Sequence, residues 1–272
     1  MNSRDRVYAT LNMEEPDHVP FFGSPHPAIF DSSFSPQVVS KAQSNPSSES
    51  YARYMKAQID IIKKFNLSFM QMGILVDPTF NQQLDQDQYV DETGRIKSTR
   101  LIGGISEAYM GGYLSTPSKY REFMRLRPPP VTEWRINRVR EAKKIAEDHD
   151  LFLLIGAGSV VELVMEACGI SNFLRYLYTD PRFIDEIIRD SALRTAVRVK
   201  MACDEGADGI IIYDDYAYHS GPFFSVKHFM KHIQPWVKHV VSEIHKRGVS
   251  AFQHACGDIR SLMPGIIDAG YD

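Results

Sequence analysis

His254 and Cys256 follow the apolar run Val249-Ser250-Ala251-Phe252-Gln253, and a spacing of two puts both side chains on one face of an extended chain. A neutral imidazole and a thiolate are preferred ligands of zinc, and Gly257 frees the backbone to turn directly behind them. Two donors do not complete a metal site. The same pair also reads as a buried histidine beside a structural cysteine.

Other residues with chemical potential sit at the ends of apolar runs. Asp214 and Asp215 close Gly209-Ile210-Ile211-Ile212-Tyr213. Being adjacent, they point in different directions: one could face a pocket as a catalytic base, a substrate anchor or a ligand while the other caps the following loop. Gly156-Ala157-Gly158-Ser159 ends a further run; Gly156 would let a ligand approach the backbone and Ser159 lies where helix amides could attract an anion, although a tight strand-to-helix turn has the same sequence. His219, in Tyr216-Ala217-Tyr218-His219-Ser220-Gly221-Pro222, could reach a substrate from a loop or be solvated there. Cys168 and Cys203 lie among small and apolar neighbours and read as core thiols.

The elements that would position these groups can be read in order. A helix is expected over 3–11, a strand over 19–23, a Pro- and Ser-rich loop over 24–50, a helix over 51–65 and a strand over 67–72. Thr93-Gly94 marks a hairpin inserted over one face. Behind Pro128-Pro129-Pro130, amphipathic helices at 132–148, 159–167, 171–178, 180–206, 225–247 (bent at Pro235) and 259–269 alternate with strands at 151–156, 209–213 and 249–253. Apolar strands alternating with helices mean a parallel sheet covered by helices. No glycine-rich phosphate fingerprint follows the first strand, which favours a (β/α)8 barrel over a dinucleotide-binding sheet. Both polar clusters then fall at strand ends, where such barrels build their sites. About five of eight units are visible in one domain over 1–272, so a further C-terminal portion is expected; an open sheet closed by a partner chain is the other reading.

With 43% hydrophobic residues in 272, the chain can bury a sizeable core. Thirty-one Lys and Arg against 34 Asp and Glu give a net charge of −3, so there is no electrostatic footprint for nucleic acid or an acidic membrane, and a small-molecule substrate is expected. Three widely spaced cysteines and no secretory signal point to a reducing, cytoplasmic address.

The order of motifs resembles the uroporphyrinogen decarboxylase superfamily: Arg4-Asp5-Arg6-Val7 with Pro16-Asp17-His18-Val19-Pro20, then Tyr178-Thr179-Asp180-Pro181, Gly206-Ala207-Asp208-Gly209 leading to Asp214-Asp215, and His254-Ala255-Cys256-Gly257 leading to Ala269-Gly270. The resemblance implies a (β/α)8 barrel with its pocket at the strand ends. It is closer to the zinc- and corrinoid-dependent methyltransferases than to the decarboxylases of porphyrin biosynthesis, because residues 21–27 carry no arginine for an acidic porphyrinogen. In that branch a His-x-Cys pair binds zinc with a more distant cysteine; His254 and Cys256 match the pair, and the third ligand would lie beyond Asp272. The implied chemistry is zinc activation of a thiol that takes a methyl group from a corrinoid (cobalamin) protein, or the related delivery of a methyl group to one, with a small methyl donor or acceptor. Uroporphyrinogen decarboxylase and a non-catalytic truncated barrel are the alternatives.

Overall fold

The computed structural model describes residues 1–23, 49–74, 76–100 and 108–272. The helix α1 (Ser3–Leu11) opens on Asn2, whose side chain accepts the amide of Asp5. The helix α2 (Glu49–Lys64) leads into strand β1 (Phe69–Gly73). Strands β2 (Asn81–Gln83), β3 (Gln88–Asp91), β4 (Arg95–Ser98) and β5 (Tyr109–Gly112) form an antiparallel sheet in that order, turning at Thr93-Gly94. Helices α3 (Pro117–Leu126) and α4 (Glu133–Asp148) precede β6 (Phe152–Gly158), followed by α5 (Glu162–Cys168), α6 (Ile170–Thr179) and α7 (Pro181–Asp204). Beyond β7 (Gly209–Tyr213) a two-stranded hairpin, β8 (Ala217–Tyr218) and β9 (Gly221–Pro222), leads to the helical rod α8, which comprises Val226–His228, a π-turn at Phe229–Ile233 and Gln234–His245. The bend expected at Pro235 takes the form of that π-turn, just ahead of the residue that lacks an amide. Strand β10 (Ser250–His254) and helix α9 (Met263–Ala269) follow.

The central sheet is parallel, in the order β1-β6-β7-β10. Its four strands compare with the five units expected. Residues 19–23 do not form the expected first strand: Pro20 has no amide to donate, and the Phe21 carbonyl accepts from Ser68 as the segment's one backbone bond to the edge of β1. Residues 24–48, most of the expected loop, lie outside the described residues. The expected helix at 259–269 is shorter, its regular part beginning at Met263.

Parity along the strands divides the core in two. Met70, Met72, Leu153, Ile155, Ile210, Ile212 and Ala251 face the helices. Phe69, Phe152, Leu154, Ile211, Tyr213 and Phe252 line the other, inner face, where Val7 and Leu11 of α1 pack. Gly209 is required there, since a Cβ would lie 2.7 Å from Phe152 and 2.8 Å from Phe252. Each helix-to-strand turn into this sheet contains a residue of positive φ: Asn66, Asp150, Gly206 and Gly248.

Candidate functional site

The inner face of β7 runs through Ile211 and Tyr213, and the next inward position is Asp215. On β10 it runs through Phe252 to His254, which stands opposite Tyr213 in the register, and the turn then presents Cys256. One donor atom from each of Asp215, His254 and Cys256 lies within 4.8 Å of the others. Cys256 Sγ is 3.4 Å from His254 Nε2, which is 3.7 Å from Asp215 Oδ1. Asp215 Oδ1 also accepts the Cys256 amide at 2.6 Å, tying the two loops together. Both His254 and Cys256 are exposed, which removes the reading of a buried histidine beside a structural thiol. Burial and then the Asp215 carboxylate push the Cys256 thiol up from its ordinary value.

Asp214 faces the other way and is 0% exposed. Its carboxylate accepts the amides of Val160, Val161 and Glu162, the Ser159 hydroxyl and the Tyr216 hydroxyl. Burial pushes its carboxyl up and these donors pull it back. It fills the start of α5. The sequence placed catalytic potential on both aspartates; the structure gives Asp214 to the scaffold. Ser159, expected to touch substrate, is 1% exposed: its hydroxyl donates to Asp214 at 2.7 Å and accepts the Leu163 amide at 3.1 Å. The anion drawn to those helix amides is the protein's own. Gly156 pairs with Gly73 and Ile211 on the inner face, beside the β-bulge that carries the ladder from Gly156 to Gly158. His219 is exposed at the tip of the β8–β9 hairpin, with its ring against Tyr218. The hairpin is held to the donor loop by the Asp258 amide on the Tyr218 carbonyl at 3.0 Å, and Gly257, at φ 81°, has room only for hydrogen because a Cβ would lie 2.6 Å from Ala217 backbone atoms.

Three residues of this region escaped sequence reasoning. Tyr213 sets its ring 5.4 Å from that of His254, and its hydroxyl is hydrogen-bonded to Gln71, the inward residue of β1. Glu162 accepts the Asp215 amide at 3.1 Å, with its carboxyl pushed up to about 7 chiefly by burial. Strand parity carried the signal for Gln71 and Tyr213, which alternate with helix-facing Met70, Met72 and Ile212. Parity equally separates Asp215 from Asp214.

The donors N, O and S suit zinc. The family model described as Uroporphyrinogen decarboxylase (URO-D) matches residues 109–272, which include all three. No sequence match is found among curated proteins. Among solved structures, a methyltransferase from Methanosarcina mazei superposes with a TM-score of 0.69 at 16% identity, over 100% of this chain and 74% of that chain. At that identity the likeness speaks for the fold, an α/β architecture with a parallel central sheet of the barrel type that the sequence led us to expect. With the family model covering more than half its length, the chain belongs to the uroporphyrinogen decarboxylase family.

Proposed function

We propose that this chain is a methyltransferase in which Asp215, His254 and Cys256 hold zinc, working with a corrinoid-bearing partner protein and a small thiol as methyl acceptor. The observation that supports it is the convergence of one oxygen, one nitrogen and one sulfur donor within 4.8 Å at the ends of adjacent strands. Asp215 is a third donor within the chain, and the cysteine that the family resemblance implies beyond Asp272 would be a further one. Bound zinc would supply Lewis acidity, lowering the pKa of a thiol so that it is a nucleophile near neutral pH. The chain's own residues orient the donors: Tyr213 packs on the imidazole, Asp215 holds the Cys256 amide, and Glu162 holds the amide of Asp215. The inner face below is lined by Leu154, Ile211 and Phe252, which give the site an apolar floor. The neighbouring methyltransferase fold agrees with this reading.

Metal analysis after zinc loading and desalting is the direct test. We expect about one zinc per chain, lost in Cys256→Ser and weakened in Asp215→Asn. A zinc content unchanged by Cys256→Ser would overturn the assignment. Methylcobalamin with a small thiol should lose its methyl–cobalt absorbance only with the zinc-loaded protein. Turnover of uroporphyrinogen without metal would instead favour the decarboxylase reading.

A further inference from the structure

Behind the sheet four arginines feel the charge of Glu92: Arg135 is ion-paired to it, and Arg127, Arg194 and Arg198 lie near enough to be influenced by it and by one another. Arg127 follows α3, Arg135 belongs to α4, and Arg194 and Arg198 lie one turn apart on α7. Glu92 lies at the β3–β4 turn and is 0% exposed. Asp77, 4.0 Å from Arg135, is committed elsewhere: it accepts from Thr79 and from the Thr132 hydroxyl. Among the described residues no carboxylate lies within ion-pair distance of Arg127, Arg194 or Arg198. Their hydrogen bonds go to neutral groups. Arg198 donates to the Ala157 carbonyl at 2.7 Å and to the Thr195 hydroxyl at 2.9 Å, and Arg194 donates to the Pro128 carbonyl.

One buried N–H position on each of these three side chains has no acceptor: Nε of Arg127, Nε of Arg194 and Nη1 of Arg198. Arg198 is 2% exposed. Burial and mutual repulsion pull Arg194 down to about 10 and Arg198 to about 9, values that still leave both charged at neutral pH. Four guanidiniums against the two carboxylates of Glu92 and Asp77 leave a surplus of about two positive charges. Water could satisfy their hydrogen bonds but could not offset their charge.

We propose that this cluster is a binding site for a phosphoryl dianion, either free inorganic phosphate or the head of a small phosphomonoester. The planar forks of arginine fit tetrahedral oxyanions bidentately, and a surplus above one charge favours a dianion over chloride. Arg127 and Arg194 are part-exposed and Arg198 is buried, so the proposed ligand would approach from the side of Arg127 and Arg194. Arg198, held from behind by Ala157 and Thr195, forms the floor. The site does not depend on the zinc reading.

The test is calorimetric titration of inorganic phosphate into the full chain at constant ionic strength, with chloride as the balancing salt, alongside thermal melting. We expect saturable one-to-one binding, an upward shift of the melting temperature, and affinity about tenfold or more weaker in Arg194→Met and in Arg127→Met. In phosphate-free buffer Arg194→Met should melt at or above the wild type, because it removes a part-buried charge that has no carboxylate partner; in phosphate the order should reverse. Glycerol 3-phosphate distinguishes the two sources: tighter binding than inorganic phosphate assigns the site to a phosphomonoester, weaker binding to the free ion. Heats and melting shifts that do not distinguish phosphate from chloride, or that survive both substitutions, would overturn the site. So would destabilisation by Arg194→Met in phosphate-free buffer.

Discussion

Glu162 meets three other carboxylates, Asp214, Asp215 and Glu166, in a part-buried position that pushes its carboxyl up from 4.5 to about 7. In metal-free protein the folded state therefore keeps a proton through a pH range in which the unfolded chain has released it. Stability should fall as pH rises from about 4.5 to about 7 and level off above. Glu162→Gln should flatten that slope, by an amount on the order of 1–3 kcal/mol across the window, read from urea melts at several pH values. A wild-type slope retained in the variant would assign the titration to another group. Asp214 acts through its hydrogen bonds, as an acceptor for the backbone amides of Val160, Val161 and Glu162. Asp214→Ala should cost ~2–4 kcal/mol in the same melts, because it orphans the amides at the start of α5. Adjacent in sequence, the two aspartates look interchangeable. Strand parity sorts them, because Asp215 continues the row of Ile211 and Tyr213 while Asp214 continues that of Ile210 and Ile212.

At the scale of elements, Gly206-Ala207-Asp208 and Gly270-Tyr271-Asp272 share the form Gly-x-Asp and are one device used twice. Asp208 gives its amide to the Leu153 carbonyl at 3.0 Å and takes the Leu153 amide on its side chain at 2.9 Å. Asp272 does the same to Ala251, at 3.0 and 2.7 Å, and both glycines have φ 94°. Each aspartate sets the register of the chain beside a strand. Gly257 has a comparable role between the donor loop and the β8–β9 hairpin. Gly257→Ala should push the hairpin off and weaken the zinc binding proposed above on the order of tenfold, with the secondary structure seen by circular dichroism unchanged. The elements were largely legible in the sequence: 3–11 and 209–213 have the bounds that periodicity gives. Residues 19–23 misled because an apolar run with a proline cannot sustain a ladder. The arginine cluster was not legible, because Glu92, Arg127, Arg135 and Arg198 meet only through tertiary packing of a hairpin and three helices.

At the scale of the molecule, the order β1-β6-β7-β10 makes β6 and β7 the strands of this sheet paired on both sides among the described residues. Their amides should be the slowest in hydrogen exchange, with β1 and β10 exchanging sooner. Equal protection across all four would contradict that layout. Among the described residues no helix is long and apolar enough to cross a membrane. The parallel α/β architecture was readable because buried strands and amphipathic helices alternate in the chain, whereas residues 19–23, read as a strand, are not regular strand among the described residues. The left-handed turns that precede the strands bear on engineering. Two carry glycine, while Asn66 and Asp150 hold φ 50° and 54° with a Cβ in place, at a conformational cost of about 1 kcal/mol each. Asp150→Gly should recover part of that cost, offset by the looser unfolded chain, and raise the melting temperature slightly. The protein's own glycine turns thus serve as a template for making it more heat-resistant.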